Sequence, residues 1–328
     1  MNSIEIRKIS ETEFDDFVSL MQLRGGASVE FYRWKYLSRL RQDTDIGFGI
    51  YGDNVIVGGV GFNRYPLKVG SRSLVATWAS DIFVLPEYRN MDIGKTLLEK
   101  VADVSDLCGF GSPAPTQVKS ILKSLGYSYE RPLIKLKIPL YPTTSLKHED
   151  DALRFQLKRM RDLLCRRLVF GGGADSCLVL EKPDTSLWRA KASDHVGNRS
   201  HFERTERRLQ WMKEIPSNRD EGWWFYDSPN GFASGILRGH QSKKSVIVLD
   251  AFPTKSSLFE LLGTLSCNFS GEGVSTIQCL VEEGEPRLSI LPRAWKGQIN
   301  VMSTTEYIPE YLSLLDIESS WVALEPPR

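Results

Sequence analysis

The sequence from Asp81 to Lys95 reads Asp-Ile-Phe-Val-Leu-Pro-Glu-Tyr-Arg-Asn-Met-Asp-Ile-Gly-Lys, and it joins an apolar run to an amphipathic one. The apolar run, 74–85, predicts a central strand that ends before Pro86. Ile93 begins a stretch with apolar residues on one face of a helix. Backbone amides at the start of a helix form an anion site, to which Arg89 adds a cation. The junction therefore predicts a site for a phosphate group; an ordinary turn between a strand and a helix is the alternative.

The elements on either side of this junction follow a definite order. Ser10 followed by Glu13 is a capping box, which predicts a helix start after a first strand. Gly52-Asp53-Asn54 separates two strand-like runs and predicts a tight hairpin turn. Gly126 is typical of the residue that ends a helix. The first 140 residues give the order β-α-α-β-β-β-α-β-α-β, which predicts an α+β sheet covered by helices.

The motif from Ile82 to Gly94 resembles the signature of the GNAT superfamily of acyl-CoA-dependent N-acyltransferases. In that signature a strand ends in apolar-x-Val-x-Pro-x-Tyr-Arg, and an Arg/Gln-x-x-Gly-x-Gly/Ala loop leads into a helix. Leu125-Gly126-Tyr127 is similar to the family's Leu-Gly-Phe. The resemblance covers residues 1–140 and implies a three-layer α/β fold that binds acyl-CoA.

The resemblance also implies roles for the residues of this motif. The strand backbone is expected to pair with the pantetheine arm of CoA, and the loop amides to hold the CoA pyrophosphate. The positions carried over are Ile82, Phe83, Val84, Arg89, Asn90, Met91, Asp92, Ile93, Gly94 and Lys95. Acetyl-CoA or another acyl-CoA is therefore the expected co-substrate, and no metal is expected.

Two residues are candidates for proton transfer. Asp81 stands where many family members have a Glu on the central strand, so its carboxylate is expected to accept the amine proton. The alternative is an Asp that bonds a neighbouring backbone group or caps a bulge. Leu122 replaces the family's frequent tyrosine, which protonates the CoA thiolate. Tyr127 or Tyr129 is expected to substitute, unless these aromatic side chains belong to the core.

The chain beyond residue 140 is predicted to form a second domain. Residues 141–151 have the composition of a connector, so we place a boundary near residue 145 and expect domains at 1–145 and 146–328. Residues 151–168 then have the pattern of an amphipathic basic helix. We expect this helix to dock on the core with a solvated cationic face. A docking face for an acidic partner or a phosphate-bearing donor and a membrane-surface role are the alternatives.

The second half weakly repeats the first. Arg204 to Lys213 and the runs after it repeat the order of helix, tryptophan and hairpin found at 28–61. Residues 245–252 and 256–269 then predict a second central strand and its following helix. The junction between them lacks an Arg-x-x-Gly-x-Gly loop. We therefore expect two tandem GNAT-like domains, of which the second is a degenerate copy without a CoA site.

Composition and charge exclude several classes of protein. Forty-two Lys and Arg against 41 Asp and Glu give a net charge of +1, so no nucleic-acid partner is expected. No apolar window approaches the roughly 18 residues that a membrane span needs. The charged N-terminus does not resemble a signal peptide, so the cytoplasm is the expected compartment. The five cysteines and four histidines lack the spacing of metal ligands.

These features predict an enzyme that transfers an acyl group, expected to be acetyl and not aminoacyl, to an amine. Direct attack of a small-molecule amine on the thioester is the expected chemistry, because that reaction depends mainly on positioning and on oxyanion stabilisation. An amino sugar is one candidate acceptor. The alternatives are a tRNA-dependent aminoacyl transferase of similar tandem fold and a non-catalytic binding or scaffold protein. The scaffold alternative rests on the departures at Asp92, which replaces the first loop glycine, and at Leu122.

Overall fold

The structure is a computed structural model of the 328-residue chain. The residues that it describes are 4–23, 27–38, 44–89, 91–104, 108–111, 116–140, 179–180, 184–214, 216, 222–228, 231–238, 244–253, 258–270, 274–293, 296–304 and 310. The predicted boundary near residue 145 and the predicted basic helix at 151–168 lie outside these residues, and both stay predictions.

The first 140 residues form strands and helices in the predicted order. They are β1 (Ile4–Lys8), α1 (Phe14–Leu23), α2 (Val29–Leu37), β2 (Gly47–Gly52), β3 (Val55–Val69), β4 (Arg72–Val84), α3 (Ile93–Asp103), β5 (Cys108–Gly111), α4 (Thr116–Ser124) and β6 (Tyr129–Pro139). The later elements are β7 (Val179–Leu180), α5 (Thr185–Val196), β8 (His201–Phe202), α6 (Glu206–Lys213), β9 (Gly222–Ser228), β10 (Gly231–Arg238), β11 (Lys244–Pro253), α7 (Leu258–Ser270), β12 (Val274–Glu282) and β13 (Lys296–Ser303). The second central strand and its helix are thus also confirmed, as β11 and α7.

Three predicted local signals are present in the structure. Asp53 and Asn54 have φ of 50° and 65°, the left-handed values that the tight turn between β2 and β3 requires. Gly126 has φ of 84° at the second position after α4, so it ends that helix as predicted. The Glu13 carboxylate accepts a hydrogen bond from the Ser10 amide at 3.1 Å, which is one half of the predicted capping box.

The chain divides into two compact units, each made of more than one segment. The first comprises Met1–Arg131, Val196–Pro216 and Ile299–Arg328. The second comprises Pro132–His195 and Ser217–Gln298.

The sheet of the first unit is mostly antiparallel. Strands β1 to β4 are neighbours in sequence order, each antiparallel to the next, and β5 lies parallel to β4. β8 pairs with β3 near its end, and Met302 and Ser303 of β13 pair with Gly111 and Phe110 of β5. Segments from far along the chain therefore complete the sheet that the first 111 residues begin.

Helices cover both faces of this sheet. Side chains alternate along β3, so Val60 lies on one face while Gly59 and Gly61 lie on the other. α3 and α4 join Val60 in one buried apolar cluster. On the other face, a Cβ at Gly59 would lie 3.1 Å from the Phe17 ring of α1, and one at Gly61 would lie 2.0 Å from the Tyr36 hydroxyl of α2. Glycine therefore allows α1 and α2 to approach β3 closely.

The second unit also has a mixed sheet. Its strand order is β6, β12, β11, β10, β9 and β7, with β11 parallel to β12 and the other paired neighbours antiparallel. α7 packs on one face within a buried apolar cluster. Trp188 of α5 donates a hydrogen bond from Nε1 to the buried carboxylate of Asp250 in β11, at 2.9 Å. Each unit is thus a mixed, mostly antiparallel sheet flanked by helices, and the predicted α+β class is confirmed.

Within the described part of the chain, every helix is too short or too polar to cross a membrane.

Candidate active site

The candidate site begins where β4 and β5 diverge. The two strands pair in parallel only at Ala76, Thr77 and Trp78 of β4. Beyond Trp78, β4 continues to Val84 and pairs with β3 alone among the described strands. The main chain at 79–84 therefore presents an edge toward the β5 side, and an extended ligand can pair with such an edge as an added strand would.

A β-bulge interrupts β4 within this edge. The β3–β4 register shifts between Gly59, which pairs with Phe83, and Gly61, which pairs with Ser80. Asp81 lies in the bulge with φ of 51°, a left-handed conformation that is uncommon for a residue other than glycine. Regular alternation would direct the Asp81 side chain to the face opposite Ser80. The bulge instead places both side chains beside α2, so the local backbone strain determines which helix Asp81 meets.

The Asp81 carboxylate is held by two neighbouring residues of α2. Its Oδ2 atom accepts hydrogen bonds from Lys35 Nζ and from the Tyr36 hydroxyl, each at 2.5 Å. The Lys35 side chain has no exposed surface, and that of Asp81 is 7% exposed. The other carboxylate oxygen, Oδ1, accepts no hydrogen bond from any residue in the described ranges. The site therefore contains a nearly buried carboxylate, one oxygen of which is fixed by two hydrogen bonds.

Tyr36 is a donor in this cluster. Its hydroxyl lies 3.1 Å from the Ser80 hydroxyl as well as against Asp81. Burial, together with the negative charge of Asp81, raises the pKa of Tyr36 well above 10. Tyr36 therefore keeps its proton at neutral pH and donates to Asp81, and the role of Asp81 as general base stays a prediction.

α2 can bury a lysine because nearly all of its circumference is covered. Phe31, Tyr32, Trp34, Lys35 and Tyr36 are all buried. Ser28 caps the helix by accepting a hydrogen bond from the Phe31 amide at 3.2 Å. A helix that is apolar all round is expected to be buried. In such a helix a buried lysine requires a partner, and Asp81 supplies it.

Lys35 and Tyr36 were not among the candidates from the sequence. Their sequence signal is a lysine placed among aromatic residues, in the run Phe-Tyr-Arg-Trp-Lys-Tyr at 31–36. A lysine on the apolar side of a helix is unusual, because the polar residues of a helix are expected on its exposed face. This signal does not predict which residue pairs with Lys35, because a bulge 46 residues away along the chain determines where the Asp81 side chain points.

The loop after β4 leads directly into the N-terminus of α3. Pro86–Tyr88 forms one 3-10 turn, and Asp92 then stands at the N-cap of α3 with φ of 55° and no capping bond from its side chain. Ile93 is buried and anchors the helix start. The first amides of α3 therefore point out of the helix without partners inside it, as at any helix N-terminus.

The charged residues of the loop lie around this helix start. Arg89 donates a hydrogen bond from Nε to the Val84 carbonyl at 3.1 Å, which fixes the direction of its guanidinium group. Lys95 forms an exposed ion pair with Glu99 at 3.8 Å. A Cβ at Gly94 would meet no atom within 4 Å, so this position is open. Asn90 lies outside the described residues, and Met91 is exposed.

The two tyrosine candidates for thiolate protonation lie in different surroundings. Tyr127 is completely buried in the apolar cluster that contains Leu122 and the inner face of α3. Tyr129 is 43% exposed at the start of β6. The burial of Tyr127 agrees with the alternative that this tyrosine belongs to the core. The role of either tyrosine in protonating the thiolate stays a prediction.

Comparison with known protein families finds one match, in the N-terminal third of the chain. Residues 8–112 match the model of a family described as "Acetyltransferase (GNAT) family". These residues are therefore similar to a GNAT acetyltransferase domain, in agreement with the resemblance of the motif at 82–94. Among curated proteins none matches the sequence.

Solved structures extend the likeness to both units. A GCN5-related N-acetyltransferase from Kribbella flavida aligns with a TM-score of 0.59 at 12% identity, over 92% of this chain and 71% of that one. Another GCN5-related N-acetyltransferase, from Anabaena variabilis, aligns with a TM-score of 0.58 at 11% identity, over 92% of this chain and 72% of that one. The N-myristoyltransferase of Saccharomyces cerevisiae with bound myristoyl-CoA aligns with a TM-score of 0.57 at 9% identity, over 92% of this chain and 83% of that one. At these identities the likeness is one of fold.

Among the described residues, no group of His, Cys, Asp and Glu side chains could hold a metal ion.

Proposed function

We propose that this chain is an acyl-CoA-dependent N-acyltransferase that transfers an acetyl group to a small-molecule amine. One observation carries the proposal: the open edge of β4 leads directly into the N-terminus of α3 within the residues that match the GNAT acetyltransferase family. The first feature suits an extended pantetheine arm, and the second suits a pyrophosphate.

In this proposal the donor lies along β4. The main chain of Ile82, Phe83 and Val84 pairs with the pantetheine arm. The pyrophosphate lies against the amides of 91–95, with the Lys95 ammonium near it. Arg89 supports this position, because its Nε bond to the Val84 carbonyl holds a cation at the end of β4, beside the loop.

The proposed reaction is direct aminolysis of the thioester. The amine nitrogen attacks the thioester carbonyl, so that the new C–N bond forms and the C–S bond breaks. Asp81 Oδ1 accepts the proton that leaves the nitrogen, directly or through water. The CoA thiolate leaves and takes a proton from an acid, for which Tyr127 and Tyr129 are the candidates.

The experiment that tests the donor site is a calorimetric titration with acetyl-CoA and then with CoA. Wild-type protein is expected to bind both saturably, one to one. Gly94→Glu places a carboxylate at the start of α3 without steric conflict, and we expect it to weaken acetyl-CoA binding at least about tenfold by repelling the pyrophosphate.

Gly284→Glu is the matched control, because a Cβ there also meets no atom within 4 Å and the residue lies far along the chain, in the turn after β12. It is expected to keep wild-type affinity. Equal affinity of Gly94→Glu and wild type would contradict the pyrophosphate site. Absence of binding of acetyl-CoA and CoA to the wild-type protein would favour the tRNA-dependent or scaffold alternatives.

The acyl group and the acceptor belong to the same proposal. The yeast N-myristoyltransferase structure holds myristoyl-CoA, so the titration includes myristoyl-CoA as a long-chain probe. The amino-sugar acceptor is proposed from the resemblance alone, and glucosamine is the first amine to try. An acidic partner for 151–168 also stays a prediction.

A further inference from the structure

Three side chains form a line of hydrogen bonds at the bulge of β4. The Tyr36 hydroxyl donates to Asp81 Oδ2 at 2.5 Å, and its oxygen lies 3.1 Å from the Ser80 hydroxyl oxygen. A phenol has one proton to donate, and the Asp81 carboxylate accepts it. The Ser80 hydroxyl therefore donates to the Tyr36 oxygen, and the line runs from Ser80 through Tyr36 to Asp81.

Ser80 is the hydroxyl of this line that a ligand can reach. It is half-buried, and it belongs to residues 79–84 of β4, which pair with β3 alone among the described strands. Tyr36 is only 2% exposed. Burial, together with the negative charge of Asp81, raises the pKa of Tyr36 well above 10, so this hydroxyl keeps its proton until a strong base takes it.

The thioester of the proposed complex comes to the same place. With the pyrophosphate at the start of α3, the pantetheine arm runs back along β4 from Val84 to Ile82. The residues that follow Ile82 in this direction are Asp81 and Ser80. The sulfur atom therefore lies beside the bulge when its bond to the acyl carbon breaks.

The sulfur atom needs a proton at that moment. Tyr127 is completely buried in an apolar cluster, where loss of its proton would leave a costly buried charge, and Tyr129 is 43% exposed at the start of β6. The Ser80 hydroxyl has a different advantage, because hydrogen bonds already connect it to the carboxylate that receives the amine proton.

We propose that Ser80 is the acid that protonates the CoA thiolate, and that Tyr36 passes it a replacement proton from Asp81. The inference rests on the proposed N-acyltransferase function, in which Asp81 accepts the proton of the attacking amine, and it names a different acid for the last step. Ser80 is a catalytic residue because it contacts the sulfur atom. Tyr36 is a positioning residue that acts through Ser80.

The transfers balance over one turnover. The amine nitrogen forms the C–N bond and loses a proton to Asp81, while the C–S bond breaks and leaves its electron pair on sulfur. The Ser80 proton moves to the sulfur atom, and the Tyr36 proton moves to the Ser80 oxygen. The proton on Asp81, carried round by rotation of the carboxyl group, moves to the Tyr36 oxygen. The products are the amide and the CoA thiol, and the three side chains return to their starting states.

The first test measures the ionisation of the CoA thiol when CoA is bound to the full chain. CoA labelled with 13C at the carbon atom beside its sulfur gives an NMR signal that follows the thiolate. A hydrogen bond to a charged group favours the charged form, so Ser80→Ala is expected to raise the titration midpoint by about half a pH unit or more. Ser73→Ala is the matched control, because it removes a hydroxyl of the same strand that donates to Glu203 at 2.8 Å. Its midpoint is expected to equal that of wild type.

The second test measures kcat with acetyl-CoA and glucosamine. Ser80→Ala is expected to lower kcat about a hundredfold with little change in the KM for acetyl-CoA, because an acid acts in the transition state. Tyr36→Phe keeps the ring, and it is expected to lower kcat to a similar extent. Its thiol midpoint is expected to stay near the wild-type value, because Ser80 still contacts the sulfur atom. The double variant is expected to be no slower than either single variant, since both changes interrupt one line. Circular dichroism checks that each variant folds.

The outcomes separate this inference from the proposed function. An unchanged thiol midpoint in Ser80→Ala, or losses in kcat that multiply in the double variant, would overturn the inference and leave the donor site in place. Failure of the wild-type protein to bind CoA would count against the proposed function, and the inference would fall with it. A raised midpoint in a protein that does not acetylate glucosamine would support the contact of Ser80 with the sulfur atom and count against the proposed acceptor.

Discussion

Gly61 determines whether Tyr36 can reach Asp81. A Cβ on Gly61 would lie 2.0 Å from the Tyr36 hydroxyl oxygen and 2.5 Å from the ring carbon that bears it. No side chain fits there unless the tyrosine moves. The glycine therefore creates the space in which the hydroxyl meets both Ser80 and Asp81.

We expect Gly61→Ala to displace the Tyr36 hydroxyl and to lower the free energy of unfolding by about 1–3 kcal/mol, the usual cost of overpacking. Urea denaturation measures this change. Gly284→Ala is the control, because its Cβ would lie in open space, and a change within about 0.5 kcal/mol is expected there. If both variants were equally stable, Tyr36 would have to move at little cost.

Asp81 and Lys35 differ in how far the sequence alone could predict them. Asp81 can be predicted as a site residue, because it directly precedes the motif Ile-Phe-Val-Leu-Pro, which the local sequence pattern reveals. Lys35 does not, because an ideal strand would turn the Asp81 side chain away from α2. The left-handed backbone at Asp81 brings the two side chains together. The bulge adds one residue to β4, and the alternation of apolar and polar residues along a strand does not predict such an insertion.

Glu13 lies in the turn that precedes α1, and its carboxylate connects this turn to β1. Its carboxylate accepts hydrogen bonds from the Ser10 amide at 3.1 Å and from Arg7 of β1 at 2.8 Å. The Arg7 hydrogen bond, aided by those from Ser10, lowers the pKa of Glu13 from 4.5 to about 2. The ion pair thus holds the end of β1 to the turn that precedes α1.

Because the pKa of Glu13 is lower in the folded state, its contribution to stability is complete above about pH 4.5 and is lost as the pH falls toward 2. We expect Glu13→Gln to be less stable than wild type at pH 6, with the difference shrinking between pH 4.5 and 2. Urea denaturation at a series of pH values measures it. Glu11→Gln, at an exposed position of the same turn, is expected to follow the wild-type curve; a constant difference for Glu13→Gln would contradict the assignment.

Most elements of the first 140 residues are predictable because their signals are local. Turn residues, helix ends and apolar periodicity lie within a few positions of the structure that they specify. Pairing between strands is harder to predict, because it depends on segments far apart in the chain. The contributions of β8 and β13 to the first sheet have no counterpart in the sequence patterns, since each contributes only two paired residues.

At the scale of the molecule, a pair of tryptophans joins distant parts of the chain within the first unit. Trp34 of α2 and Trp211 of α6 stack with ring centroids 4.7 Å apart and planes 11° apart. Each donates a hydrogen bond from Nε1 to the other's backbone carbonyl, at 2.7 Å and 3.0 Å. Because Trp34 directly precedes Lys35, this reciprocal contact also fixes the helix that carries the candidate site.

We expect Trp34→Phe and Trp211→Phe each to destabilise the protein, and a double-mutant cycle to give a coupling energy of about 1–3 kcal/mol, because both variants disrupt one shared contact. Chemical denaturation provides the four unfolding free energies. Pairing Trp34→Phe with Phe48→Leu, whose side chain packs in the cluster of α3, is expected to be additive within about 0.5 kcal/mol. Additivity in the tryptophan cycle would contradict a coupled pair.

The pairing of β5 with β13 affects how the protein is made. Phe110 and Gly111 leave the ribosome early, but their partners Ser303 and Met302 are synthesised about 190 residues later, which takes roughly 10–40 s at common rates of translation. During that interval the nascent chain carries an open strand edge, the feature through which unfinished proteins aggregate. We therefore expect the rate of synthesis and the presence of chaperones to affect the yield of this protein.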